Sequence, residues 1–160
     1  MSEFIGESMD LLPMQADQLP ERWTAVDPEA RGVDAEALFL CALPGEEYKP
    51  SISIGRFDMP GVLSQVSEQT LMDAGPTAVL LEKAETESSV TQLISATAEP
   101  LGELRVAEAV LGWKAPLEGY RDTCVVARLI CLGSQLDSVG ADFAQFVSSL
   151  CISVDPELQP

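Results

Sequence analysis

The stretch Thr123-Cys-Val-Val-Ala-Arg-Leu-Ile-Cys-Leu132 is apolar along nearly its whole length and holds a single charged residue, Arg128. A short apolar run rich in β-branched residues predicts a β-strand. Because side chains alternate between the two faces of a strand, Arg128 shares its face with Cys124, Val126 and Ile130. The rest of the predicted fold can be built outward from this strand.

Two helices are predicted, one on each side of this strand in the sequence. Leu63, Val66, Thr70 and Ala74 recur at helical spacing within 62–74, and Gly75-Pro76 supplies a stop. The closing helix begins near Asp137 or Ser138, either of which can cap its first turn. Its apolar stripe consists of Val139, Phe143, Phe146, Val147, Leu150 and Cys151.

Six strands are predicted, and their short polar connections favour antiparallel neighbours. Within Ser51–Met59 the apolar phase switches at Gly55, which predicts a β-bulge. The order of elements predicts an α+β fold, an antiparallel sheet of about six strands covered by two main helices. We expect one domain over 1–160, with an N-terminal segment at 1–22 and a C-terminal tail at 156–160. The predicted strands are Ala37–Leu43, Ser51–Met59, Thr77–Lys83, Val90–Ala98, Glu103–Lys114 and Thr123–Leu132.

The composition excludes several classes of function. The chain has 26 acidic and 9 basic residues, a net charge of −17 that is spread over its whole length, and no histidine. Such a field disfavours binding to nucleic acid or to anionic membranes, and it would steer in a basic partner. Without histidine, the Ser-His-Asp and Cys-His catalytic arrangements and the His-based zinc sites are excluded. We therefore predict no catalytic, cofactor-binding or metal-binding residues, and no cofactor.

The four cysteines, Cys41, Cys124, Cys131 and Cys151, lie in apolar contexts and form no CxxC pair. Buried free thiols are the expected reading, which fits a reducing compartment. The N-terminus lacks the basic and apolar regions of a signal peptide, and no stretch is long and apolar enough to span a bilayer. We expect a cytoplasmic protein.

Two charged residues lie inside predicted strands, Glu108 and Arg128. Glu108 is a buried acid of raised pKa, or it lies at an edge position, or it forms a salt bridge to Arg105 or Arg128 of neighbouring strands. Arg128 either pairs with an acid such as Glu108 or presents its guanidinium in a groove to an anionic ligand. The candidate buried ion pair is therefore Glu108 with Arg128.

A candidate interaction loop runs from Gly112 to Arg121. Two of the chain's few aromatic residues flank a turn containing proline and glycine, a composition common in binding loops. The alternative is that both rings cap the end of the core. The residues assigned to this loop are Trp113, Lys114, Pro116, Tyr120 and Arg121.

The order of elements resembles the PsbP-like α/β/α sandwich, and it is nearest in pattern to actinobacterial LpqN-type proteins, although it lacks their lipoprotein leader. The resemblance rests on four segments. The resemblance implies that the protein is a binding or assembly factor, and it supplies no catalytic residue. The segments are Leu19-Pro-Glu-Arg-Trp-Thr-Ala-Val26, Ser51–Met59 leading into the first helix, Val106–Trp113 followed by Thr123–Cys131, and the closing helix up to Ile152.

Together these observations predict a soluble, acidic, non-enzymatic binding or adaptor module for a protein partner. Formation of a homodimer is compatible with this prediction. A small acidic chaperone of the secretion type, which would usually dimerise, is the alternative. A carboxylate-based enzyme is the remote alternative, and it would need two acids facing each other across a cleft.

Overall fold

The computed structural model describes residues 14–15, 19–58, 61–113 and 122–152, with the backbone alone at 14–15 and 151–152. The predicted tail at 156–160 and most of the predicted N-terminal segment before Leu19 lie outside these residues. The helices are α1 (Ser64–Asp73) and α2 (Leu136–Ser149). The strands are β1 (Met14–Gln15), β2 (Trp23–Val26), β3 (Ala37–Cys41), β4 (Ser51–Asp58), β5 (Val79–Glu85), β6 (Ser89–Ala98), β7 (Gly102–Trp113), β8 (Thr123–Leu132) and β9 (Cys151–Ile152).

The main sheet has seven strands in the order β2-β3-β4-β8-β7-β6-β5, and every neighbouring pair is antiparallel. A separate two-stranded sheet pairs β1 with β9. The predicted α+β class and antiparallel sheet are confirmed, with seven strands instead of six. The additional strand is β2, whose four residues are too few to give a clear alternation.

The two helices lie on opposite faces of the sheet, and the alternation along β8 shows why. Val125, Ala127 and Leu129 belong to the main core, together with Phe143 and other residues of α2. The intervening residues Cys124 and Val126 belong to a smaller cluster that packs against Leu63 and Val66 near the start of α1. A strand covered on both faces must be apolar throughout, which accounts for the sequence of β8.

The bulge predicted at Gly55 is wrong. Strand β4 pairs with β8 residue for residue from Ser51 to Asp58, without a register shift. Phe57 simply faces the side opposite to Ile54, and its ring lies over Gly55, where a Cβ would stand 2.8 Å from Phe57 Cζ. The glycine therefore makes room for an aromatic ring. The irregularity in the sheet lies between Leu80 and Glu82, in the pairing of β5 with β6.

Candidate functional site

The structure brings Glu108 and Arg128 together as direct neighbours on β7 and β8. Arg128 Nε donates to Glu108 Oε2 at 2.6 Å. The Glu108 side chain is fully buried, whereas that of Arg128 is 39 % exposed. The pair is thus buried on the carboxylate side and half-open on the guanidinium side.

Two further side chains complete the surroundings of the Glu108 carboxylate. Thr70 Oγ1 of α1 lies 2.6 Å from Oε2 and also accepts from Arg128 Nη2 at 3.0 Å. Gln92 Nε2 of β6 donates to Oε1 at 3.0 Å and to the Ser67 carbonyl of α1 at 2.9 Å. Both oxygens are therefore engaged, and the cluster fastens α1 to three strands.

No sequence pattern indicates that Thr70 and Gln92 join this cluster. Thr70 belongs to the predicted helical stripe, and Gln92 lies within a predicted strand. Their meeting with Glu108 depends on where α1 lies on the sheet, which the local pattern does not determine.

The open side of Arg128 borders a small cavity of about 320 Å³. Phe57, Gln69 and Asp73 also line it, and Phe57 is 51 % exposed. The charge of Arg128 is already matched by Glu108, and Asp73 adds a negative charge. This arrangement does not favour an anionic ligand.

The predicted interaction loop is described only at Gly112 and Trp113, which are the last two residues of β7. Trp113 is partly buried and packs against the main core. Lys114, Pro116, Tyr120 and Arg121 lie outside the described residues, so their role stays a prediction.

A larger groove of about 680 Å³ lies between α2 and the outer strands β5 to β7. It exists because α2 packs over the β2-β3-β4-β8 half of its face and leaves the other half open. The helix presents Gly140 and Ala144 toward the groove. Because glycine has no side chain and alanine has only a methyl group, they leave room above the sheet. The apolar floor and wall consist of Ala84, Leu93, Ala107, Ala109, Leu129, Leu136, Phe143 and Val147.

The outer rim of this groove is the edge strand β5, all seven residues of which are exposed. Val79, Leu80 and Leu81 are 56, 39 and 46 % exposed. Glu82 makes no ion pair with any residue that the structure describes. Lys83 Nζ, in contrast, lies 3.2 Å from Glu85 Oε1.

Among the residues that the structure describes, the groove does not bring two carboxylates face to face. Glu82 lines its rim, but Glu108, which also borders it, sends its carboxylate to the opposite face of the sheet, toward Thr70. Within the described ranges, no three cysteine, aspartate or glutamate side chains group as a metal site would require. Nor does any helix in these ranges have the length and apolarity needed to cross a membrane.

Three of the cysteines, Cys41, Cys124 and Cys131, are free thiols in the interior. Desolvation by burial raises the pKa of Cys124 and that of Cys131 to about 11. Burial also raises the pKa of Cys41. At neutral pH these thiols are protonated and poorly nucleophilic.

No family model matches the chain, and no curated protein matches it. The fold is the PsbP-like α/β/α sandwich, as comparison with solved structures shows. The crystal structure of LpqN from Mycobacterium tuberculosis, described as involved in cell envelope biogenesis, matches with a TM-score of 0.65 at 13 % identity. That match covers 91 % of this chain and 87 % of LpqN. The solution structure of cyanobacterial PsbP from Synechocystis matches with a TM-score of 0.53 at 13 % identity, over 88 % and 92 % of the two chains.

Proposed function

We propose that this protein is a non-enzymatic binding module for a protein partner, and that it binds through the groove between α2 and β5 to β7. The groove is the observation that carries the proposal. Its volume of about 680 Å³ falls within the range of ligand-binding clefts, and its floor is apolar. An apolar surface left open beside a well-packed core is typical of an interaction site.

The polar groups in the interior support a binding role over catalysis. Glu108 is fully engaged by Arg128, Thr70 and Gln92, so its carboxylate holds α1 in place. Of the described residues that line the groove, Glu82 is the one whose carboxylate lies at its rim. General acid–base work by carboxylates would need a second acid near the first.

We further propose that the protein acts in the cytoplasm. The buried free thiols of Cys41, Cys124 and Cys131 support a reducing compartment, where unpaired cysteines persist. The likeness to LpqN, whose description places it in cell envelope biogenesis, extends to the fold alone.

Filling the groove tests the binding role. Ala144→Trp places an indole in the groove from the exposed side of α2, and Met72→Trp, on the 74 % exposed Met72 of α1, is the matched control. In affinity capture from native lysate, we expect partners of the wild-type chain to be lost with Ala144→Trp and kept with Met72→Trp. Identical partners with both variants would exclude the groove.

A further inference from the structure

We propose that the partner presents an extended peptide with alternating basic and apolar residues, which adds to the sheet as a new strand beside β5. This inference rests on the proposed function and specifies the partner of the same groove. The added strand would supply main-chain hydrogen bonds at the sheet edge and place every second side chain on the groove side of the sheet.

The edge itself is the first observation. Within the described residues β5 pairs only with β6, so the other side of its backbone is open to a further strand. Edge strands are usually protected by charges or by a covering segment. In β5 the charges lie in the second half, at Glu82, Lys83 and Glu85, whereas Val79, Leu80 and Leu81 in the first half expose between 39 and 56 % of their surface.

The second observation is that this edge and the groove form one continuous surface. Glu82 and Ala84 of β5 line the groove, and they pair across the sheet with Leu93 and Thr91 of β6. Side chains of an added strand alternate between the two faces. Half of them would therefore lie on the same face as Glu82 and Ala84 and extend the groove outward beyond β5.

Charge decides among the possible occupants. Glu82 and Glu87 at this edge have no ion-pair partner in the described structure, and the whole chain carries −17. A second copy would bring the same acids to the same edge. The N-terminal residues 1–13 contain Glu3, Glu7 and Asp10 but no lysine or arginine. The one lysine of β5, Lys83, is already paired with Glu85, so a basic peptide is the occupant whose charge complements the remaining acids of this edge.

A synthetic peptide of alternating lysine and valine, seven residues long to match β5, is the probe. Titrated into the isotopically labelled full chain, it should shift the amide resonances of Val79–Glu85 and of the groove residues on β6. It should also slow hydrogen exchange along β5 by about tenfold or more. The same peptide with glutamate in place of lysine, and one interrupted by proline, should not bind.

Two variants with the same change in net charge separate local recognition from general attraction. Glu82→Lys removes the rim carboxylate, whereas Glu68→Lys changes an exposed acid of α1. We expect Glu82→Lys to weaken peptide binding about tenfold and Glu68→Lys to change it less than about twofold. Equal weakening by both would overturn the proposal. So would resonance shifts that lie elsewhere, or an absence of shifts at about 1 mM peptide.

Two other occupants of this surface, the N-terminal residues and a second copy of the chain, would give different experimental results. Tighter peptide binding in the full-length variant Ile5→Asp, Leu12→Asp would show that the N-terminal residues occupy the groove. A dimer in sedimentation equilibrium that dissociates with Val79→Lys, but not with Val62→Lys at an equally exposed position, would show a second copy there. Either result overturns the peptide proposal. If Ala144→Trp abolishes partner capture while the peptide fails to bind, the binding module stands and strand addition fails.

Discussion

At the level of single residues, the acid Glu108 shows how a charge is accommodated between a helix and a sheet. Its exposure is 1 %, and its carboxylate receives hydrogen bonds from β6, β8 and α1. A buried charge is stable only while such partners remain, because desolvation is otherwise uncompensated. The cluster therefore couples the position of α1 to the register of three strands.

Removing a cation that pairs with a buried carboxylate should cost more stability than removing one that pairs with an exposed carboxylate. We expect Arg128→Ala to lower the free energy of unfolding by about 3 kcal/mol, since the fully buried Glu108 loses its counter-ion. Lys83→Ala, whose partner Glu85 is 54 % exposed, should cost less than about 1 kcal/mol. Urea unfolding measures both. If Glu108→Gln costs the same in the Arg128→Ala background as in the wild type, the two residues are not coupled.

The contact between Gly55 and Phe57 predicts that the effects of substituting the two residues are coupled. Gly55→Ala should stabilise the wild type less than glycine-to-alanine replacement usually does in a strand, because the new Cβ would meet the ring at 2.8 Å and the half-exposed ring must turn aside. In a Phe57→Ala background the same change should be more stabilising, since alanine is otherwise preferred to glycine in a strand. Denaturation midpoints of the four proteins provide the measurement. Additive effects would contradict the packing of the ring on Gly55.

The buried thiols predict a loss of stability in alkali. A pKa of about 11 for Cys124 and Cys131, against an ordinary 9.0, means that the unfolded chain releases these protons first. Their contribution to stability is complete below pH 9 and disappears as the pH rises to about 11. Urea unfolding across this range should show a steeper decline in the wild type than in Cys124→Ala, Cys131→Ala. Parallel declines would assign the loss to other groups, among them Tyr48, whose pKa burial also raises.

At the level of elements, one aspartate joins the edge strand β2 to helix α2. Asp142 Oδ2 accepts from Trp23 Nε1 at 2.8 Å and from Arg22 Nη2 at 2.7 Å. Trp23 is 7 % exposed and belongs to the main core. The indole is thus fixed by packing on its ring and by a hydrogen bond at its nitrogen. A strand of only four residues gains its stability from this junction.

Asp142→Ala should detach β2 before it unfolds the rest of the sheet. It leaves the Trp23 indole N–H without its acceptor, and we expect a loss of about 2 kcal/mol. Faster hydrogen exchange should be confined to β2 and the facing residues of β3. Gln145→Ala, an exposed position on the same helix, is the control. Uniform acceleration across the sheet would contradict a local junction.

The elements with strong periodicity could be predicted from the sequence, whereas their arrangement could not. The stripe of Phe143 and Phe146 predicts α2 to within a residue or two, and the apolar run 123–132 predicts β8 to the residue. The sequence also indicated Glu108 and Arg128 as a candidate ion pair. The face on which each of these side chains lies follows from strand alternation, which is a local property. The groove depends on which half of the sheet α2 covers, and that is decided by core packing across distant segments.

At the level of the whole molecule, the full chain carries a charge of −17, and the part of it that the structure describes is a sheet with one helix on each face. Acids spread over such a surface repel one another at low ionic strength, and this repulsion opposes the compact state. The nine basic residues offset part of it through pairs such as Arg56 with Glu36. Salt that screens this repulsion should therefore stabilise the folded protein as a whole.

Raising NaCl from about 20 mM to about 300 mM should increase the Tm by several degrees, since the Debye length falls below the spacing of most surface acids. Calorimetry at pH 7, with an uncharged solute at equal osmolality as control, provides the measurement. A Tm that falls with salt would mean that attractive pairs outweigh the repulsion.

The pairing of β4 with β8 has a consequence for how the chain folds. Asp58 pairs with Thr123, across all of α1 and β5 to β7, and this contact closes the sheet at its centre. Closing so long a loop costs conformational entropy, and the contacts that offset this cost form only after the loop has closed. During synthesis, the apolar face of β3 and β4 stays uncovered until β8 and α2 have left the ribosome. The acidic surface, which keeps such unfinished chains apart, would protect them from aggregation over that interval.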